Sequence, residues 1–190
     1  MNLHQADVKV TDAAQAMQYL KEGNARFLAG ELSVKDDYAG IRQTLSSGQV
    51  PFAIVLCCAD SRVAPEIYFD QKLGDIFVIR NAGNVVDDVV LGSIEYGAEH
   101  LGSPLVVVVG HTSCGAVTAA CSGGEVPEKI QSIIDRIAPS VELETPINEV
   151  AAANAKAMAA QIQEDPIIKH LGTTVVPAMY DITTGEVSWL

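Results

Sequence analysis

Short apolar runs alternate with segments of helical periodicity along much of the chain. Residues 52–57, 76–79 and 105–109 are apolar runs of strand length, and the last includes four consecutive valines, which favour β structure. Between the second and third runs, apolar residues recur at the spacing of one helical face: Val86, Val89, Val90, Ile94, Ala98 and Leu101. We therefore predict three buried strands, with a helix between the last two.

The N-terminal part of the chain predicts another helix. Asp12 precedes Gln15 by three residues, which is the spacing of a capping box. The apolar residues that follow recur at roughly helical spacing: Ala13, Met17, Leu20 and Phe27.

The C-terminal part predicts one more helix and two more strands. Residues 148–163 are rich in alanine and predict a helix, which Pro166 ends or kinks. Residues 175–182 and 187–190 predict strands on either side of a turn at 183–185.

This order of elements predicts an α/β fold with a mainly parallel central sheet flanked by helices. We expect a single domain over 1–190, with an N-terminal helical arm at 1–48, a core at 49–190 and a C-terminal edge strand. In such sheets ligands bind beyond the carboxyl ends of the strands, which directs attention to the loops at 58–62 and 110–115.

Composition narrows the possible partners. Of the 190 residues, 24 are acidic and 12 are basic, giving a net charge of −12, which argues against a nucleic-acid or anionic-membrane partner. No apolar run reaches the roughly 18 residues of a membrane span. The first residues include no basic stretch followed by an apolar run, so we expect a cytoplasmic protein.

The four cysteines are candidates for metal binding or catalysis. Two disulfides would be expected of a small secreted protein, but this chain is long and rich in core residues. We expect Cys57 and Cys121 to be buried small hydrophobic residues, whereas Cys58 and Cys114 lie in the two candidate loops.

The first loop brings three functional groups close together in sequence. If the chain is still extended there, Cys58, Asp60 and Arg62 point to one side and Cys57 to the other. A thiolate, a carboxylate and a guanidinium would then share one small space. An ordinary surface ion pair between Asp60 and Arg62 is the simpler alternative.

The second loop offers His111 and Cys114, three residues apart on a turn, and a helix is expected to begin near Gly115. Its N-terminus would help to stabilise the Cys114 thiolate. With Cys58, these residues are suited to tetrahedral zinc, and three protein ligands are typical of a catalytic site. Asp60 is an optional fourth ligand. A lone His-x-x-Cys arises easily by chance, so the hypothesis depends on both motifs following predicted strands.

The two motifs together resemble the signature of the β-class carbonic anhydrases. That signature is Cys-x-Asp-x-Arg, here at 58–62, followed some fifty residues later by His-x-x-Cys, here at 111–114. The similarity extends along nearly the whole chain and includes further segments at 48–51, 77–83, 92–96, 180–181 and 184–187.

This resemblance implies an activity and a zinc site. The expected reaction is the reversible hydration of carbon dioxide to bicarbonate and a proton by zinc-bound hydroxide. The family pattern makes Cys58, His111 and Cys114 the ligands of one zinc ion per chain. It makes Asp60 the acceptor of a hydrogen bond from the zinc-bound water or hydroxide, and it makes Arg62 the residue that holds Asp60.

The resemblance also implies a substrate pocket and an oligomer. The family is dimeric or a multiple of dimers, and some pocket residues reach the site from the neighbouring subunit. The matching pocket positions are Gln49, Phe77, Ala82, Tyr96 and Gly115. Tyr96 has a second interpretation as a core residue, because it falls on the apolar side of its helix.

One departure from the family pattern predicts the subtype. In the regulated subtype, a tryptophan three residues before the first zinc cysteine helps to bind an inhibitory bicarbonate, and Val55 occupies that position here. Arg80 matches the bicarbonate-binding arginine of that subtype but cannot complete the site alone. We therefore expect the open-site subtype, with Asp60 as a fourth ligand only in a closed state.

Several alternatives stay open. Carbon disulfide and carbonyl sulfide are linear like carbon dioxide, so a hydrolase of either could use the same residues. A non-catalytic, zinc-stabilised binding module would not need Asp60 and Arg62 beside an open metal position. A Rossmann-type oxidoreductase is the weakest option, because no strand is followed by Gly-x-Gly-x-x-Gly. His100 could be a proton shuttle, but an exposed histidine beside Glu99 is expected, and His4 and His170 are expected on the surface.

Overall fold

Five strands form one sheet at the centre of the protein, in a computed structural model that describes residues 10–35 and 37–190. In chain order the strands are β1 (Ala53–Cys58), β2 (Ile76–Asn81), β3 (Leu105–His111), β4 (Thr174–Tyr180) and β5 (Val187–Trp189). Their order across the sheet is β2-β1-β3-β4-β5, and only the pair β4–β5 is antiparallel. The predicted α/β fold with a mainly parallel sheet and a C-terminal edge strand is confirmed.

Helices flank this sheet. In chain order they are α1 (Ala13–Ala29), α2 (Tyr38–Leu45), α3 (Pro65–Tyr68), α4 (Asp88–Glu99), α5 (Gly115–Ser122), α6 (Glu128–Ile137), α7 (Ile147–Glu164) and α8 (Pro166–Leu171). Two single turns of 3-10 helix lie at Ala82–Asn84 and Ala138–Ser140.

The two central strands are buried along their whole length. Every residue of β1 and of β3 is buried, whereas the edge strand β2 is mostly half-buried. Strands covered on both faces need continuous apolar side chains, which is why the runs in β1 and β3 were visible in the sequence. The register pairs Cys57 with Val109, so β1 and β3 end side by side.

Helix α1 begins as predicted, but its capping box is only half formed. The Asp12 carboxylate accepts hydrogen bonds from the backbone N–H groups of Ala14 and Gln15 at 2.7 Å and 3.4 Å. The Gln15 side chain donates to the Tyr19 hydroxyl at 3.1 Å. One side chain therefore caps the helix, and the reciprocal bond of the box is replaced by a bond along the helix.

The buried face of α1 contains Asn24, which the apolar pattern did not reveal. Its amide nitrogen donates to the carbonyl oxygens of Tyr68 and Gly185, and its oxygen accepts from the Val187 N–H at 3.0 Å. This single side chain ties the N-terminal helix to α3 and to the C-terminal hairpin.

In the C-terminal part, one predicted boundary is confirmed and another is corrected. Pro166 marks an end and not a kink, because α7 stops at Glu164 and Asp165 caps α8 by accepting from the N–H groups of Ile167 and Ile168. Strand β4 ends at Tyr180, so the connection to β5 is longer than the predicted three-residue turn.

Helices α2, α3, α6 and α8 were not predicted. Three of them have eight residues or fewer, too short to show a repeated apolar face. Helix α6 did have a signal, because its apolar residues have helical spacing: Ile130, Ile133, Ile134 and Ile137.

The division into an arm at 1–48 and a core at 49–190 stays a prediction. Helices α1 and α2 lie in the described part of that arm, and residues 1–9, including His4, lie outside the described residues. Within the described residues, no helix combines the length and the hydropathy needed to cross a membrane.

Candidate metal centre

Three ligand-type side chains meet at the carboxyl ends of the two central strands. Cys58 is the last residue of β1, His111 is the last residue of β3, and Cys114 is the N-cap of α5. Their potential ligand atoms all lie within 4.8 Å of one another, and all three residues are buried. The structure therefore brings together the three predicted zinc ligands.

The imidazole of His111 is oriented for metal binding. Its Nδ1 lies 2.9 Å from the carbonyl oxygen of Thr112. Since a carbonyl can only accept, Nδ1 has the hydrogen and Nε2 has the free lone pair. Nε2 is buried and has no hydrogen-bond partner among the described residues. A backbone carbonyl that fixes the tautomer of a histidine is the usual arrangement around protein-bound metals.

The two cysteine side chains shift each other's pKa in opposite directions. The pKa of Cys58 is lowered to about 4, first because the Cys114 thiol donates a hydrogen bond to its sulfur. The backbone N–H of Gly83 also donates to this sulfur, at 3.4 Å. The same thiol hydrogen bond, together with burial, raises the pKa of Cys114. The N–H groups of Ala116 and Val117 act in the direction expected of a helix N-terminus, but they do not reverse that shift.

This donor set fits zinc. Two sulfurs and one imidazole nitrogen are borderline-soft ligands, and a cation bound among them would displace protons from the thiols. Three protein ligands leave a coordination position for water or substrate, as in catalytic zinc sites.

Asp60 and Arg62 lie next to these ligands and form a paired unit. The Arg62 guanidinium donates to both carboxylate oxygens, at 2.9 Å from Nε and 2.7 Å from Nη2, and the Arg62 backbone N–H donates at 2.9 Å. These bonds, with the side-chain bond first, hold the pKa of Asp60 well below its usual range. Asp60 is therefore an ionised carboxylate with a fixed orientation.

The route by which Asp60 and Arg62 meet differs from the predicted one. An extended segment was expected, but the N–H of Val63 donates to the carbonyl of Asp60 at 3.1 Å, which closes a turn. The turn lets the Arg62 side chain fold back onto Asp60 and donate two hydrogen bonds to its carboxylate.

Arg62 also links the two ligand loops. Its Nη2 donates to the carbonyl oxygen of Ser113 at 3.4 Å. The backbone of Ser113 is in the left-handed region, with a φ of 56°. The Ser113 N–H donates to Asn148 on α7 at 2.9 Å. Both sides of this turn between His111 and Cys114 are thus fixed by side chains from elsewhere in the fold.

Arg80, on strand β2, stabilises the first loop through two hydrogen bonds. Its Nε donates to the carbonyl oxygen of Cys58 at 3.1 Å, and its Nη2 donates to that of Asp60 at 2.7 Å. Val55 is fully buried in β1.

Only two of the five predicted substrate residues lie near this centre. Ala82 directly follows β2, whose last residue pairs with Cys58, and Gly115 follows Cys114. A Cβ atom added at Gly115 would meet no heavy atom within 4 Å, so this position faces open space.

The other three lie at the opposite end of the sheet. Phe77 pairs with Ile54, four residues before Cys58, which corresponds to about 13 Å along the strand. The rings of Phe77 and Tyr96 are 6.2 Å apart, and Gln49 precedes β1 on an exposed loop. The interpretation of Tyr96 as a core residue is wrong for the single chain, because Tyr96 is 48% exposed.

The remaining candidates behave largely as expected. Cys57 is buried, although Cys121 is only half-buried. His100 is exposed, with Nε2 3.7 Å from a Glu99 oxygen, and His170 is also exposed.

Two asparagines that support the surroundings of the metal centre were not predicted from the sequence. Asn154 on α7 donates to the carbonyl of Gly83 at 2.9 Å, and Asn148 accepts from Ser113. The only signal was an asparagine inside an alanine-rich helix, a position where asparagine has poor helix propensity.

Comparison with known proteins identifies close relatives in sequence. A family model described as carbonic anhydrase matches residues 53–187. Carbonic anhydrase 2 of Mycobacterium tuberculosis (strain CDC 1551 / Oshkosh) is 50% identical over 137 residues, which cover 70% of this chain and 66% of that protein. The match thus spans just under two thirds of that relative. A carbonic anhydrase of Mycolicibacterium smegmatis is 46% identical over 157 residues, 78% of this chain and 76% of that protein.

Solved structures show the same fold. A tetrameric β-carbonic anhydrase from the ascomycete Sordaria macrospora superposes with a TM-score of 0.74 over 93% of this chain and 97% of that chain, at 22% identity. At this identity the likeness concerns the fold.

We predict that zinc binding requires each of the three clustered side chains. Cys58→Ser and His111→Ala should each remove most of the bound zinc, because two remaining ligands do not make a stable site. Elemental analysis of the purified variants measures the metal content. Cys121→Ser is the matched control and should keep its zinc, and full occupancy in Cys58→Ser or His111→Ala would refute the ligand assignment.

Proposed function

This chain belongs to the β-class carbonic anhydrase family, and we propose that it catalyses the reversible hydration of carbon dioxide to bicarbonate and a proton. The observation that supports this most directly is the cluster of Cys58, His111 and Cys114 beside the Asp60 carboxylate, which Arg62 orients. A stopped-flow hydration assay on the zinc-loaded protein is the direct test.

We propose that Cys58, His111 and Cys114 bind one zinc ion per chain. When bound, zinc lowers the pKa of a water molecule so that hydroxide is available near neutral pH.

We propose that Asp60 orients this nucleophile. An ionised carboxylate can only accept hydrogen bonds, so a hydroxide beside Asp60 directs its hydrogen there and its lone pair toward carbon dioxide. Arg62 keeps Asp60 ionised and prevents its rotation through two parallel hydrogen bonds.

The orienting role predicts a selective loss of activity. Asp60→Asn should keep the zinc but lose about 10²-fold in kcat, because an amide can present a donor where an acceptor is needed. Arg62→Ala should lose activity in the same way through a mobile Asp60. Steady-state hydration rates with parallel metal analysis test this.

Asp88→Asn makes the same chemical change at an exposed position at the start of α4 and should retain wild-type turnover. Near wild-type turnover in Asp60→Asn would show that the orienting role is wrong.

We propose that the active unit is a homodimer or a multiple of dimers. Gln49, Phe77 and Tyr96 match the family's pocket positions, yet within one chain they lie at the end of the sheet away from Cys58. Strand β2 is an edge strand, and an edge strand flanked by exposed residues is suited to contact with another chain. A second copy can bring these three residues to the metal centre.

A shared site predicts complementation between two inactive variants. Cys58→Ser removes a metal ligand, and Gln49→Ala removes a pocket residue. In a mixed dimer, the intact metal centre of one chain would face the intact Gln49 of the other, so refolding the two variants together should restore activity that neither has alone. Activity that stays at the level of the separate variants, or sedimentation of an active monomer, would contradict the proposal.

We propose that the site belongs to the open subtype. The Asp60 carboxylate is paired with Arg62, and Arg80 donates to the carbonyls of Cys58 and Asp60. Val55 provides no hydrogen-bond donor where the regulated subtype has tryptophan. We therefore expect bicarbonate to gain few hydrogen bonds at the position where the regulated subtype binds it.

Bicarbonate should then inhibit only as an ordinary product. We expect hyperbolic inhibition and a hydration rate that rises with pH through one apparent ionisation. Initial-rate measurements across pH and bicarbonate concentration test this expectation. Sigmoidal inhibition, or a steep multi-proton loss of activity below about pH 8, would indicate a closed state.

We also propose a cytoplasmic location. All four cysteines are free, and a site built on thiolates is favoured by a reducing compartment. Cell fractionation that placed the native protein in an oxidising compartment would contradict this.

A further inference from the structure

A buried asparagine is linked to the metal centre through one intermediate residue, Gly83. Asn154 is fully buried in the middle of α7, between alanines. A buried amide is costly unless it forms hydrogen bonds, and asparagine is a poor helix former. Its Nδ2 donates to the carbonyl oxygen of Gly83 at 2.9 Å, and since a carbonyl can only accept, this bond fixes the orientation of the amide.

Gly83, whose carbonyl accepts from Asn154, also forms a hydrogen bond with a candidate zinc ligand. The Gly83 N–H donates to the Cys58 sulfur at 3.4 Å. Gly83 and the following Asn84 have left-handed φ angles of 76° and 44°, so this turn requires support from its surroundings. A Cβ atom added at Gly83 would lie 2.8 Å from Ile137 and 3.2 Å from Ala116, which shows how closely the turn is enclosed.

We propose that Asn154 is a positioning residue for the metal centre. By fixing Gly83 from its carbonyl side, Asn154 keeps the Gly83 N–H directed at the Cys58 sulfur, an inference that rests on the proposed zinc site. A hydrogen bond to a coordinated thiolate withdraws charge from the sulfur and orients it. Asn154 therefore controls how the Cys58 thiolate binds the metal.

Cobalt substitution measures this effect directly. The thiolate-to-metal charge-transfer band of the Co²⁺ protein reports the charge on the coordinating sulfur. In Asn154→Ala this band should move to longer wavelength, because a thiolate that has lost an N–H donor gives up an electron more easily. Zinc affinity, measured by competition with a chelator, should fall about 10- to 100-fold. Asn154→Ser keeps a shorter donor and should be intermediate in both measurements.

A matched control separates positioning from general stability. Ile162 is also fully buried on α7, so Ile162→Ala should lower the thermal stability while the band and the zinc affinity stay unchanged. If the Asn154 variants lose stability in the same way, with unchanged band and affinity, Asn154 is only structural and the inference is overturned.

A third measurement needs no variant and covers the case in which Asn154→Ala and Asn154→Ser fail to fold. In the wild-type protein loaded with NMR-active cadmium, the Gly83 amide proton should show scalar coupling to the metal through the sulfur. Absence of that coupling would overturn the inference.

The test of Asn154 can fail or succeed independently of the test of carbon dioxide hydration. A wild-type protein that shows the thiolate band but no carbon dioxide hydration would refute the activity and leave the role of Asn154 standing. A wild-type protein that binds no metal would refute both.

Discussion

The parallel pairing of β1 with β3 is the constraint on which the metal centre depends. Its register places Cys57 opposite Val109. Cys58 and His111, the last residues of the two strands, therefore lie close together at one end of the sheet. A slip of one residue would move a ligand by about 3.3 Å, whereas metal–ligand distances tolerate roughly 0.2 Å. Complete burial of both strands on both faces prevents such a slip, because it would disrupt the packing of every side chain in the pair.

Side chains from outside β1 and β3 form hydrogen bonds that fix the two loops at the metal centre. Arg62 joins Asp60 to the carbonyl of Ser113, and Arg80 joins the carbonyls of Cys58 and Asp60. Both guanidiniums lie close to a centre that contains two thiol groups and the Asp60 carboxylate, in a chain with a net charge of −12. The Asp60 carboxylate is therefore held in one orientation, which is the preorganisation that the proposed electrostatic role requires.

Within a single chain, part of the predicted substrate pocket lies far from the metal centre. The apolar pair Phe77 and Tyr96 lies along the edge of the sheet, at the end away from Cys58. The length of the strand separates these groups within one chain, and the oligomer that we propose would bring them together at a metal centre. Exposure of Tyr96 in the single chain follows from the same geometry.

The α/β class, the central strands and the residues of the metal cluster could all be predicted from the sequence. Buried parallel strands need unbroken apolar runs, and the ligands lie at the ends of those runs or just after them. Three features became visible only in the folded chain: the turn that folds Arg62 back onto Asp60, the end of the sheet at which Phe77 lies, and the hydrogen bond from Asn154 to Gly83. That bond joins residues 71 positions apart. A hydrogen bond across such a distance depends on how a helix packs on a loop, and packing leaves no periodic signal in the sequence.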